Sequence, residues 1–311
     1  MNGKIGISIA IAFAVVLLSF IPFYQAFRVH NVWEIEDDPF FTELGKSTKS
    51  KIFILGGSAV GQINTTAVDE LVSKKLENYE VYNLAYNGDL PSFRLRSLDS
   101  TIEAKPTTVF YGISYWSLSD YQDQGNKLAF LGTSFENLDI DSINPKATTL
   151  NAIRVAFGDE TGLFPENKIK LKNEPFFFFA QDQMVIADEE KLKKLDVDRT
   201  LNKVHQNPVT SMQLRAFKET IDKLQKNDIE VVIFTVPLHK NYLQAVPEDD
   251  EKTFKATLDE ISQDYGVRIY DFTDRYSELD IWKDPYHVAL TPKSNIFSHD
   301  VAQMILSEIE S

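Results

Sequence analysis

Lys51–Val60 reads KIFILGGSAV, and this stretch sets the frame for the rest of the chain. Ile52–Leu55 is an unbroken apolar run ended by Gly56-Gly57, the pattern of a strand buried on both faces of a parallel sheet. Helical spacing follows from Ala67 to Leu76, so the segment reads as strand, tight turn and helix, with Ser58 in the turn.

Outward from it the alternation repeats. Glu80–Ala85 (EVYNLA) and Thr107–Gly112 (TTVFYG) read as strands, and between them a helix from Ser92 to Ala104 stops at Lys105-Pro106. Residues 119–205 break the rhythm with turn clusters, the aromatic run Phe176–Phe179 and a charged helical stretch near Asp188–Lys203, which marks an insertion. Leu214, Phe217, Ile221 and Leu224 then share a helix face, and EVVIFTV from Glu230 to Val236 is a fourth strand. Phe254, Leu258, Ile261 and Tyr265 mark another helix, Val267–Phe272 a fifth strand, and Pro292–Glu308 a last helix. Such alternation predicts an α/β three-layer sandwich around a mostly parallel, flavodoxin-like sheet, with the insertion after the third strand.

Upstream, Ile5–Phe27 (IGISIAIAFAVVLLSFIPFYQAF) carries no charge and is long enough to cross a bilayer as a helix. The organisation expected is a transmembrane anchor over 1–28, a juxtamembrane linker over 29–50 with turn signals at Asp38-Pro39, and one α/β domain over 51–311. A cleaved signal peptide is the rival, although no small-x-small site follows the run. Either one predicts a main domain outside the cytoplasm, and the anchor predicts a single-pass protein of the cell membrane. The Lys and Arg count around the segment barely favours an N-inside orientation.

With 46 acidic against 32 basic residues the net charge is -14, and no Lys/Arg cluster stands out, which argues against a nucleic-acid partner. Cysteine is absent, so disulfides, thiolate metal sites and cysteine nucleophiles are excluded. No His and carboxylate grouping has metal-ligand spacing, and no cofactor is expected.

Sites in parallel sheets form at the carboxyl ends of the strands. Those ends deliver Gly56-Gly57-Ser58, then Asn87-Gly88-Asp89, then Gly112-Ile113-Ser114, and, beyond the fifth strand, Asp284-Pro285-Tyr286-His287. Ser58 after two glycines can expose its hydroxyl beside backbone N–H groups, as a nucleophile does; serine at a helix start is also a common N-cap. The same turn could hold a phosphate, but the lysine of a P-loop is missing. Asp284, three residues before His287, can fix that ring's tautomer while its other nitrogen faces a hydroxyl; it is equally an ordinary helix cap. Of the five histidines only His287 has such a partner, while His239, in VPLHK after the fourth strand, could border the site. Asn64-Thr65-Thr66 is a glycosylation sequon that falls at a helix start.

In order and company these pieces resemble the SGNH (GDSL-like) hydrolase superfamily over most of Lys51 to the C-terminus, outside 119–205. The first block, usually Gly-Asp-Ser, is Gly56-Gly57-Ser58, and the last, Asp-x-x-His, is matched by DPYH. The resemblance implies a catalytic set of Ser58, Asp284 and His287, and an oxyanion hole from the N–H groups of Ser58 and Gly88, with Asn83 leading the second block in YNLAYNGD. Asn87 is a further expected neighbour. The third block departs: where the family has Gly-x-Asn, this chain has Gly112-Ile113-Ser114, so the third oxyanion donor would be the Ser114 hydroxyl, shorter than asparagine, and loss of one such donor costs about 3 kcal/mol.

The anchor and the insertion look like the membrane-anchored branch that resembles teichoic-acid D-alanyl transfer and alginate O-acetylation proteins. That branch implies work on acyl esters of surface glycans or lipids, beside a multipass membrane acyltransferase. The expected activity is therefore a serine esterase or O-acyltransferase acting through an acyl-enzyme. The alternatives are a catalytically degenerate protein that binds a glycan or membrane partner, and a nucleotide-binding protein using the Gly-Gly-Ser turn. The run Phe176–Phe179 either lines an acyl groove or packs in a core.

Overall fold

The computed structural model describes residues 39–85, 89–119, 168–169, 179–180, 184–193 and 211–310. The expected anchor Ile5–Phe27, most of the 119–205 insertion, Asn87, Gly88, His30 and His205 lie outside them. Among the described residues no helix is long and apolar enough to cross a membrane.

Five parallel strands form the central sheet: β1 Ser50–Gly56, β2 Tyr79–Asn83, β3 Thr108–Ile113, β6 Glu230–Thr235 and β7 Arg268–Tyr270. Their order is β2-β1-β3-β6-β7, which by rank within the sheet is the flavodoxin-like 2-1-3-4-5. The two remaining pairs are antiparallel: β4 Lys168–Ile169 with β5 Phe179–Ala180, and β8 Trp282–Asp284 with β9 His287–Val288.

Register follows burial. Ile54 pairs with Asn83 on one side and Phe110 on the other, and Phe110 pairs with Val232. Successive side chains point to opposite faces, so Ile52, Ile54, Phe110, Val232 and Phe234 share one face. There they join a core with Val68 and Val72 of α2 (Thr65–Ser73) and Phe297, Val301 and Ile305 of α9 (Asn295–Ile309). Phe53, Leu55, Val109, Tyr111 and Ile233, all buried, face the other way. On that side Tyr111 meets Phe217 of α6 (Met212–Lys226) edge-on at 5.0 Å, and α8 (Glu248–Tyr265) buries Phe254, Leu258 and Ile261. The result is helix, sheet, helix in three layers.

Some elements differ from expectation. Pro39–Lys46, within the range read as linker, is a helix, α1. The single helix expected over 92–104 is two, α3 Pro91–Arg96 and α4 Leu98–Glu103. Ser97 breaks it: its hydroxyl donates to the Arg94 carbonyl and its backbone sits at φ −95°, ψ 10°. In the insertion a short helix, α5, covers Glu189–Lys193, and α7 (Lys240–Ala245) was not expected at all.

Candidate active site

The turn that carries Ser58 is built by close packing. Gly56 ends β1 at φ +144°, a conformation that L side chains rarely adopt, and a Cβ there would lie 2.6 Å from the Gly112 carbonyl. Gly112 on β3 is equally constrained, since a Cβ would meet Val60 Cγ2 at 2.4 Å and Phe234 at 2.6 Å. These two glycines let Val60 drop onto the strand ends, and the 3₁₀ turn Val60–Gln62 starts two residues after Ser58. Val60 N–H and Gly61 N–H donate to the Gly57 carbonyl at 3.0 and 3.2 Å, and Gln62 Nε2 holds the Ser58 carbonyl at 3.2 Å.

The histidine arrives on the β8–β9 hairpin. Asp284 Oδ1 accepts the backbone N–H of Tyr286 (2.9 Å) and of His287 (3.0 Å). The same carboxylate lies 2.9 Å from His287 Nδ1 through each of its oxygens. Burial opposes ionisation of Asp284, but the hydrogen bond and charge of His287, the Tyr286 N–H and Lys283 outweigh it and hold the carboxyl below its usual range. An ionised partner makes Nδ1 the donor, which leaves the Nε2 lone pair free to face outward. Nε2 lies 2.8 Å from Ser58 Oγ. The structure thus brings Ser58, His287 and Asp284 into one hydrogen-bonded line from segments 229 residues apart.

The line opens on a cavity of about 130 Å³ bordered by Ser58, Leu90, Ser114, Trp116, Tyr242 and Tyr286, among others. Ser114 therefore faces the same space as Ser58. It stands at the start of the 3₁₀ helix Tyr115–Leu118, where its hydroxyl lies 3.4 Å from Ser117 Oγ, its N–H donates to that Oγ at 3.1 Å and its carbonyl accepts the Ser117 N–H at 3.0 Å. His239, read as a residue that could border the site, is not among those lining the cavity. It caps α7, Nδ1 accepting from Asn241 N–H at 3.2 Å, and its ring packs edge-on against Trp282 at 5.7 Å. Burial, then the charge of Lys240, lowers its pKa. Its backbone N–H donates to the Pro285 carbonyl at 3.1 Å, so it supports the histidine loop. Asn83 supports the other side, donating from Nδ2 to the Val60 carbonyl at 3.1 Å. Asn64, the sequon asparagine, caps α2 by accepting from Ala67 N–H at 3.2 Å, and its Nδ2 donates to Asn295 of α9 at 3.2 Å. Among the described residues no three His, Asp or Glu side chains converge to hold a metal ion.

The sequence reading missed Trp116, Tyr242 and Tyr286 as cleft residues, and it missed the buried pair Asp89–Arg94 beside them. Tyr286 was signalled by its place inside DPYH, and Trp116 by standing just past the third strand end. No protein-family model and no curated protein sequence matches the chain. In three dimensions it is similar to the psychrotrophic esterase EstA from Pseudoalteromonas sp., in a structure inhibited by monoethylphosphonate, with TM-score 0.44 and 12% identity over 85% of this chain and 100% of that one. It is similar also to the extracellular lipase of Streptomyces rimosus (TM-score 0.38, 11% identity, 81% and 99% covered). A third similar structure is TesA (TM-score 0.36, 9% identity, 71% and 77% covered). Likeness at this level carries no functional assignment, which rests on the residues themselves.

Proposed function

We propose that the protein is a serine esterase or O-acyltransferase of the SGNH type, working through an acyl-enzyme on Ser58. The observation that carries this reading is the 2.8 Å contact between Ser58 Oγ and His287 Nε2, with Asp284 behind the ring. His287 Nε2 takes the hydroxyl proton as Oγ attacks an ester carbonyl, and Asp284 stabilises the imidazolium. The tetrahedral oxyanion is bound by Ser58 N–H and Gly88 N–H, with the Ser114 hydroxyl a weaker third donor because it is shorter than an asparagine amide and Ser117 Oγ competes for its proton. Collapse expels the alcohol, which leaves with the proton from His287, and the acyl group stays on Ser58. Water or a sugar hydroxyl, deprotonated by His287, then takes the acyl group and restores the serine.

The uncharged Ile5–Phe27 run supports placing this chemistry outside the cytoplasm, on a membrane anchor. That location, with the large insertion, favours acyl esters of surface glycans or lipids as substrates and a multipass membrane acyltransferase as partner. A second reading, a binding module that keeps the fold without turnover, is favoured by Ser114 standing where the family has asparagine. The two separate on one experiment. Treated with a fluorophosphonate probe, the full chain is expected to label at Ser58, and Ser58→Ala to lose the label. A folded wild type that does not label, or a label that survives Ser58→Ala, would overturn the enzyme reading.

A further inference from the structure

We infer that the buried pair Asp89–Arg94 is a positioning device for catalysis, fixing the backbone on both sides of the 85–88 connection against the nucleophile turn. This rests on the serine-hydrolase reading above. Neither side chain has any exposed surface. From α3, Arg94 Nε donates to Asp89 Oδ2 at 3.0 Å, and Nη2 donates both to that oxygen and to the Leu84 carbonyl, the latter at 2.9 Å. One guanidinium therefore grips the chain as it leaves β2 and again as it approaches α3.

Of the two gripped residues, Leu84 is bonded to the strand that leads to Ser58, and Asp89 lies close against the turn that follows it. On the near side Leu84 N–H donates to the Ile54 carbonyl at 2.8 Å, and Asn83 is bonded to Val60, two residues beyond Ser58. On the far side Asp89 borders the cleft, and its carbonyl oxygen is 3.4 Å from where a Cβ on Gly57 would sit. Tyr111 of β3, fully buried, adjoins the pair: burial first, and then the charge of Asp89, raises its pKa, with Arg94 opposing. In sequence Asp89 is preceded directly by Gly88, the second oxyanion donor of the proposed mechanism.

The chemistry of the pair argues for position over stability. Two buried charges lose hydration that their attraction roughly offsets, and an apolar pair of similar volume commonly holds layers together as well. An apolar pair cannot hold a carbonyl and a carboxylate in one plane, and neither can lysine, whose ammonium lacks the guanidinium's planar fork.

The test uses the full chain, with p-nitrophenyl acetate turnover, fluorophosphonate labelling rate and thermal unfolding as readouts. Arg94→Lys is expected to unfold cooperatively, with kcat down ~10- to 100-fold, KM within ~2-fold, and labelling slowed in proportion to kcat. The double variant Arg94→Met/Asp89→Leu is expected to unfold at or above the wild-type temperature with the same loss of kcat. Wild-type kcat in either folded variant would overturn the proposal. So would loss of cooperative unfolding in both, which would assign the pair to stability. A wild type that neither turns over nor labels would defeat the hydrolase reading and this inference with it, whereas a labelled wild type matched by Arg94→Lys would defeat the inference alone.

Discussion

Ser58 and Ser114 occupy equivalent places and are used differently. Each lies two residues after a glycine near the carboxyl end of a central strand, Gly56 of β1 or Gly112 of β3, and those glycines are register partners on neighbouring strands. Both serines border the same cavity. Yet the hydroxyl of Ser58 meets His287 across 229 residues of sequence, while that of Ser114 is engaged with Ser117, three residues on. The two histidines divide in the same way. His287 reaches out to the distant serine, and His239 turns its Nδ1 to Asn241, two residues away. Ser114 and His239 spend their contacts on neighbours in sequence, whereas His287 is held locally through Nδ1 by Asp284 and keeps Nε2 for Ser58.

The sharpest way to break this contrast is to alter the group that aims His287. Asp284→Asn presents an amide where Nδ1–H needs an acceptor and favours the wrong tautomer, so kcat for p-nitrophenyl acetate is expected to fall by about 10⁴-fold. Its acid stability should change as well. The folded-state pKa of Asp284 is depressed, so its contribution is complete above the ordinary value of 3.8 and is lost as pH falls through the lower folded value. In Asp284→Asn that limb of the curve of thermal midpoint against pH is expected to flatten.

Ser114→Ala probes the other half of the contrast. Because the hydroxyl is engaged with Ser117 Oγ, kcat should fall by about tenfold or less, well short of the hundredfold for a full oxyanion donor, with about 1 kcal/mol or less lost from stability. Steady-state kinetics and denaturant unfolding of the same variant read both numbers.

His239→Asn is expected to be smallest. Asparagine retains a side-chain acceptor for the Asn241 N–H but does not titrate. Since the folded His239 pKa is lowered, the unfolded chain binds the extra proton first, and the folded state loses stability as pH drops below the ordinary histidine value of 6.5. The variant should lose that slope between neutral and mildly acid pH while keeping near-wild-type kcat at neutral pH, as thermal scans and assays at stepped pH would show.

The strands were legible because a parallel sheet buried on both faces demands continuous apolar runs, and Ile52–Leu55 and Val231–Phe234 supply them. Boundaries were less so. Nothing in the spacing of Ser92–Ala104 forces a break, which depends on the buried Ser97 hydroxyl finding the Arg94 carbonyl. Asp284 and His287 could be read together because their bond spans three residues, and the family resemblance added Ser58. The Asp89–Arg94 pair escaped notice, since an Asp and an Arg five apart look like surface charges until the fold buries both. For His239 the strand end marks only a neighbourhood, and its burial follows from tertiary packing against Trp282.

The β8–β9 hairpin has a consequence for how such a triad can be assembled at all. Asp284 binds the two backbone amides that follow it as well as the imidazole, so acid and base travel as a prefabricated cassette. Bringing together three independent groups would require two separations to be tuned at once; here only one remains, the gap between cassette and serine. The one remaining separation is the 2.8 Å between His287 Nε2 and Ser58 Oγ, and the polarity of the ring is already set within the hairpin.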